Sequence, residues 1–166
     1  MSDERKAVCV VGWPAGHSRS PLIHNYWIKQ HNLNAEYRIE ALPPRLFGDF
    51  VTHLPSHGYI GCNVTVPHKQ SALELSQPDE RAKAVGAVNT LWLEGDKLRS
   101  TNTDVEGFLA NLDQATPGWD RGLESAMVLG SGGAARAVVY ALIQREVQRI
   151  YVINRTPEHA EALRKQ

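Results

Sequence analysis

The sequence predicts an α/β protein, with a mainly parallel sheet flanked by helices in its N-terminal part and the start of a second α/β unit after it. Three observations carry that prediction. The apolar runs Ala7 to Gly12 and Ala126 to Leu129 are continuous rather than alternating, as in strands covered on both faces. Each run gives way to a polar or glycine-rich turn and then to apolar residues at helical spacing. Finally, proline, glycine and short polar residues fall where turns and helix starts would need them.

Composition narrows the function classes. At 166 residues the chain has room for one domain, or a domain and part of another. Hydrophobic residues at 42% and charged residues at 22% are globular values, which set aside a disordered tail or a fibrous repeat. A formal net charge of +0 gives no general attraction to nucleic acid or to an anionic membrane, so any anion must be held locally. No apolar run approaches ~20 residues, and the run from Met1 to Lys6 is too charged to lead a signal peptide. Cys9 and Cys62 both lie in apolar runs, which suits buried thiols in a reducing compartment. A cytoplasmic protein is expected.

Taken in order, Ala7 to Gly12 is the first strand. Ser20 before Pro21 reads as an N-cap with proline at the first helical position, opening a helix to about His31. Ser18 and Ser20 then sit at the mouth of a strand-to-helix turn, either as loop and cap residues or as hydroxyls for a carboxylate. Ala35 to Glu40 is a second strand, and Pro43 and Pro44 open a helix carrying Leu46, Phe47, Phe50, Val51 and Leu54 toward the core. His53 and His57 are four apart, but Pro55 between them breaks a helical pair, so no metal is assigned.

Tyr59 to Val66 reads as the central strand, ended by Pro67. Asn63 and Thr65 are two apart and share a face, and Lys69 follows in the first turn of the next helix. A lysine beside neutral donors can protonate a developing alkoxide or anchor an anion; alternatively the polar pair caps the turn and Lys69 is solvated. Asp79 caps a helix from Glu80 to Val85 that ends at Gly86. Ala87 to Leu93 and Lys97 to Thr101 form a hairpin about Gly95 and Asp96, with Asn89 in its first arm as an amide needing partners or a ligand. Asp104 opens a further helix, as a cap by position alone. The break over 116–122 reads as a linker, dividing residues 1–115 from residues 123–166.

After that linker comes the clearest single motif. Gly130, Ser131, Gly132, Gly133, Ala134 and Ala135 follow a strand and precede a helix, matching the G-x-G-x-x-A turn of a Rossmann-type dinucleotide-binding domain. Glycine permits the tight turn and the approach of a pyrophosphate, and Ala135 keeps helix and strand close. The next strand, Arg149 to Ile153, ends in Asn154, Arg155 and Thr156, about 20 residues on, where NAD-binding folds place a carboxylate. An amide, a guanidinium and a hydroxyl suit a 2′-phosphate instead, which favours NADP. The glycine loop lacks the Lys-Ser/Thr pair of a P-loop, which sets aside phosphoryl transfer of that kind.

Together these blocks resemble the shikimate dehydrogenase family. The matching stretches are Gly16-His-Ser-Arg-Ser-Pro21, Asn63-Val-Thr-Val-Pro-His-Lys69, Gly86-Ala-Val-Asn-Thr90, Asn102-Thr-Asp104, Gly130-Ser-Gly-Gly-Ala-Ala-Arg136 and Asn154-Arg-Thr156, in the family's order. The resemblance implies NADPH-dependent, reversible reduction of 3-dehydroshikimate to shikimate on the route to chorismate and the aromatic amino acids. It implies Ser18 and Ser20 on the substrate carboxylate, Asn63, Thr65, Asn89 and Asp104 on the ring hydroxyls, and Lys69 with Asp104 as the catalytic pair. A homodimer is among the assemblies it allows. His68 stands where many members carry an aromatic residue, and His159 where some carry a second arginine, which weakens the expected phosphate clamp.

Two visible strands are fewer than a dinucleotide domain needs, so the sequence is expected to be a truncated or partly recorded enzyme. Two other readings stand beside the main one. A quinate/shikimate dehydrogenase using NAD or NADP shares the substrate blocks, and a non-catalytic shikimate-binding module would need only the first part of the chain.

Overall fold

The computed structural model describes residues 5–165. Met1 to Glu4, which hold most of the charged N-terminal run, and Gln166 lie outside the described residues. Strand β1 (Lys6–Gly12) lies between β2 (Ala35–Ala41) and β3 (Tyr59–Val64) and is parallel to both, which is why its side chains are apolar almost throughout. Helix α1 (Ser20–Gln30) crosses from β1 to β2. Helix α2 (Pro44–Thr52) and a 3-10 turn over Leu54–His57 cross to β3, the turn closing at Gly58 with φ 80°.

Beyond β3 the sheet changes direction. β5 (Thr90–Glu94) runs antiparallel to β3 and forms a hairpin with β6 (Lys97–Thr101), while the two-residue β4 (Gln77–Pro78) adds in parallel at the edge, giving the order β2-β1-β3-β5-β6-β4. Short helices α3 (Lys69–Glu74) and α4 (Glu80–Val85) lead into this half. Asp79 caps α4 by accepting from the Ala82 N–H at 2.8 Å, and Gly86 ends it with φ 69°. Helix α5 (Asp104–Ala115) follows β6. A second, two-stranded parallel sheet pairs β7 (Ser125–Leu129) with β8 (Arg149–Ile153), joined by α6 (Gly133–Gln144) and followed by α7 (Pro157–Arg164).

The main core lies on the first sheet, where Cys9, Val11, Phe47, Leu54, Cys62, Val64 and Leu91 pack together. A second cluster joins the two parts of the chain: Val85 of α4, Ala87 just after it and Val105 of α5 meet Ala137 and Ala141 of α6. Residues 116–122 are pinned as well. Trp119 donates from Nε1 to Asp113 at 3.0 Å, and Arg145, at the C-terminal end of α6, pairs with Asp113 and Asp120 at 2.5 and 2.8 Å.

Three local expectations need correction. Ser20 is the first residue of α1 rather than its cap; Arg19 takes the cap position, and the Ser18 hydroxyl accepts the Ser20 N–H at 3.3 Å. β3 ends at Val64, before Pro67, with the Thr65 N–H making the last bond to β1, to the Val11 carbonyl at 2.9 Å. Asn89 stands just ahead of β5 rather than within it, its backbone still bonded to Thr101 and Val64 while its side chain reaches Thr103 in the loop after β6. Among the described residues no helix is long and apolar enough to cross a membrane.

His68 fills an aromatic position by stacking on Phe47, with ring centroids 4.3 Å apart and planes 4° from parallel. Its Nε2 donates to the Leu42 carbonyl at 2.7 Å, and the side chain is 2% exposed. Burial pulls the imidazole below its ordinary 6.5, against a smaller opposing pull from the Leu42 carbonyl. Above that value folded and unfolded chains both hold a neutral ring; below it the unfolded chain takes up a proton that the folded chain refuses. Stability is therefore full above 6.5 and lost as pH falls through the lower folded value. Thermal melts at pH about 7.5 and about 5.5 should show a larger loss for the wild type than for His68→Phe, and equal losses would remove His68 as the cause.

Candidate active site

The carboxyl ends of β1 and β3 and the start of α1 enclose a pocket of about 270 Å³. Its wall is formed by Val10, Ser18, Ser20, His24, Asn63, Val64, Thr65, Lys69, Asn89 and Asp104, so all seven substrate-site residues expected from the sequence come together. Ligands in open α/β sheets sit at this end of the strands. Gly12 helps to shape the wall, because a Cβ there would collide with the Thr65 methyl group.

Lys69 and Asp104 form the charged floor. Lys69 Nζ lies 2.5 Å from Asp104 Oδ2, with the two side chains 14% and 27% exposed. The other carboxylate oxygen accepts from Asn89 Nδ2 at 2.8 Å. That amide is itself held, giving its second donor to Thr103 Oγ1 at 2.8 Å and accepting the Thr103 N–H at 3.0 Å through Oδ1. Asn89 thus orients Asp104. The Asp104 N–H meets the Asn102 Oδ1 at 2.9 Å, and the fully buried Asn102 donates to the Ala87 carbonyl at 2.9 Å. Asp104 is therefore no helix cap: its backbone is fixed from below, and its carboxylate is turned onto the lysine.

Asn63 is fixed from the other side. Its Oδ1 accepts from the Tyr37 hydroxyl at 2.6 Å, and its Nδ2 faces Thr90 Oγ1 at 3.2 Å. Burial pushes the Tyr37 phenol well up, so it serves as a hydrogen-bond donor at neutral pH. Tyr37, His24, Asn102 and Thr103 escaped the sequence reading. The Asn-Thr-Asp block flagged the last two by proximity, whereas Tyr37 lies on a strand whose pairing with β1 only the fold reveals.

The glycine loop meets this pocket from behind. Gly130 has φ 110°, a value that favours glycine, and Gly132 is extended at the start of α6, with nothing within 4 Å of where a Cβ would stand. At Gly133 a Cβ would come 2.8 Å from both Cβ and Cδ of Lys69. The lysine stem lies directly on the first residue of α6. Beside the loop a cleft of about 330 Å³ is lined by Gln70, Ser131, Gly132, Arg136, Asn154, His159 and Ala162. Asn154 donates to the Thr156 carbonyl at 2.8 Å and sets the turn after β8. Arg155 is exposed and stands outside the cleft wall, as do Ala134, Ala135 and Thr156, while Arg136, which the sequence reading left without a role, is part of it.

The cleft fits a dinucleotide: an open glycine at a helix N-terminus leaves room for a pyrophosphate, and Arg136 and His159 border the adjoining space. Among the described residues no group of three or more histidine, cysteine or acidic side chains is placed to hold a metal. Cys9 and Cys62 are neighbours in register on β1 and β3, and both are free and buried. The adjacent Cys62 and burial push the Cys9 thiol far up.

Residues 10–91 match the family model described as shikimate dehydrogenase substrate binding domain, and residues 119–166 match that described as shikimate / quinate 5-dehydrogenase. The chain is 58% identical to the shikimate dehydrogenase (NADP(+)) of Rhodopseudomonas palustris (strain TIE-1), over 99% of this chain and 59% of that protein. It is also 58% identical to that of Nitrobacter hamburgensis, over 95% and 55%. Among solved structures, shikimate dehydrogenase from Aquifex aeolicus superposes with a TM-score of 0.88 at 35% identity, covering 99% of this chain and 61% of that one. Shikimate 5-dehydrogenase from Thermus thermophilus, solved with NADP(H) and shikimate, superposes with a TM-score of 0.81 at 32% identity, covering 96% and 60%. The chain spans a little over half the length of the curated relatives it matches. Along that span the likeness is continuous, from the first strand of the large sheet to the helix after β8, and the chain belongs to the shikimate dehydrogenase family.

Proposed function

We propose that this chain carries the substrate site and the first part of the cofactor site of an NADP-dependent shikimate dehydrogenase, interconverting 3-dehydroshikimate and shikimate. The observation that carries the reading is the Lys69–Asp104 pair on the floor of a hydroxyl-lined pocket, with the glycine loop packed against the lysine stem. In this reading residues 1–115 bind substrate, residues 116–122 connect, and residues 123–166 begin the cofactor domain. The buried free thiols suit a cytoplasmic setting, and light scattering would decide the homodimer.

Bound nicotinamide supplies or takes the hydride. The chain's own groups do the rest. Ser18 and Ser20 receive the carboxylate, and Asn63 and Thr65 hold ring hydroxyls. The Lys69 ammonium donates to the oxygen that becomes an alkoxide and delivers its proton there. Asp104 balances that charge and aims the ammonium, and Asn89 keeps Asp104 in line. Gly130, Ser131, Gly132, Gly133, Ala134 and Ala135 form the pyrophosphate turn, with Asn154, Arg155 and Thr156 toward the 2′-phosphate.

The direct test is shikimate-dependent reduction of NADP, followed by absorbance of the reduced nicotinamide. Turnover with quinate equal to that with shikimate would move the assignment to the quinate/shikimate enzymes, and tight shikimate binding without hydride transfer would leave a binding module. For the phosphate clamp, Arg155→Ala should narrow the preference for NADP over NAD roughly tenfold, the scale of one charge-assisted contact. An unchanged ratio of kcat/KM values removes Arg155 from the clamp.

A further inference from the structure

We propose that the imidazole of His24 is a third recognition group for the ligand's carboxylate, beside the hydroxyls of Ser18 and Ser20. The inference rests on the substrate reading above. Ser20 and His24 are four residues apart on α1, so they share a helix face, and both line the same 270 Å³ pocket. The ring is fixed from two directions. It stacks on Tyr37 with centroids 4.3 Å apart and planes 4° from parallel, and it stands edge-on to Trp27 at 5.4 Å and 88°. Asn25, the next residue, clasps the Tyr37 backbone, accepting its N–H at 2.9 Å and donating to its carbonyl at 2.8 Å, which locks the stack in place.

Among the described residues neither ring nitrogen of His24 has a hydrogen-bond partner, whereas the neighbouring side chains of Asn25, Tyr37 and Asn63 are all engaged. An oriented, half-buried imidazole with both nitrogens unclaimed, on the wall of a pocket, is poised for a ligand. Among the described residues the charged groups on that wall are Lys69 and Asp104, which pair with each other, and the titratable group against the ring is the Tyr37 phenol. Burial holds the His24 imidazole below its ordinary range, so the free site presents a neutral ring. A carboxylate placed against it favours the protonated form, so binding of the acid takes up a proton as well as filling the site.

Calorimetric titration of wild type and His24→Phe with shikimate and with its methyl ester tests this. Phenylalanine keeps the stack on Tyr37 and removes both nitrogens. Shikimate affinity should fall roughly tenfold or more in the variant, while the uncharged ester changes less than about twofold. The wild-type heat with shikimate should depend on the ionisation enthalpy of the buffer, and that dependence should vanish in the variant. Equal weakening of acid and ester, or an unweakened acid, overturns the role of His24 alone. A wild-type protein that binds neither ligand overturns the substrate reading and this inference with it. If the variant does not fold, the wild-type His24 ring decides by NMR: its nitrogen shifts should move toward imidazolium with shikimate and stay put with the ester, and a stationary ring overturns the proposal.

Discussion

Replacing Lys69 by alanine should lower the rate of shikimate-dependent NADP reduction by about 10²- to 10⁴-fold, the range for a positioned proton donor, while KM for NADP moves little. The asymmetry follows from placement. Lys69 Nζ points to Asp104 and the pocket, whereas what faces the glycine loop is the stem, and alanine keeps the Cβ part of that contact. Asp104→Asn should lower turnover too, since the amide keeps the shape but forfeits the charge that holds the ammonium in line. Steady-state kinetics on both variants, with cofactor affinity from fluorescence titration, separate the possibilities. If Lys69→Ala weakens cofactor binding as much as it slows turnover, the lysine is a structural strut and the assignment fails.

Gly133→Ala is expected to cut turnover by about 10²-fold and to lower thermal stability as well. Taken alone, alanine suits a helix better than glycine by up to about 1 kcal/mol in the interior, less at the first position, and no positive φ stands in its way. The obstacle is steric. The new methyl group would come 2.8 Å from Cβ and Cδ of Lys69, and the Cβ cannot swing aside because the Lys69 carbonyl accepts the Val88 N–H at 2.8 Å. Either α6 backs away or the lysine leaves Asp104, and misplacement of that size is costly to a reaction that depends on near-attack geometry. A lowered melting temperature together with a slowed reaction is the expected signature. Unimpaired turnover would show that the glycine serves only the cofactor's approach.

Much of this site was legible in the sequence because strand ends and helix starts are marked by residue type. Asn63 and Thr65 alternate with valines in a run closed by Pro67 and Lys69 follows it, and that pattern placed them at the end of the strand, where the pocket lies. The glycine turn was equally plain, since few other local needs call for so many glycines between a strand and a helix. What stayed hidden depends on pairing between distant segments. Tyr37 reads as one more strand aromatic until β2 is seen beside β1, which brings its hydroxyl to Asn63. The packing of Lys69 on Gly133 joins residues with no pattern in common, and sequence spacing holds no trace of it. Ser20 misled for a smaller reason: capping preference is strong at Ser-Pro, yet here the chain enters the helix one residue earlier and leaves the capping position to Arg19.

The clasp of Asn25 on Tyr37 also bears on how the molecule behaves in company. β2 is an outer strand of the large sheet, the kind of border along which a stray chain can zip itself on. At Tyr37 both outward-facing main-chain groups are already taken by one side-chain amide, so the row of vacant donors and acceptors is interrupted near the middle of the strand. A single asparagine thus acts as a surrogate neighbour, guarding the border against unwanted strand addition while holding an aromatic ring steady for the pocket behind it.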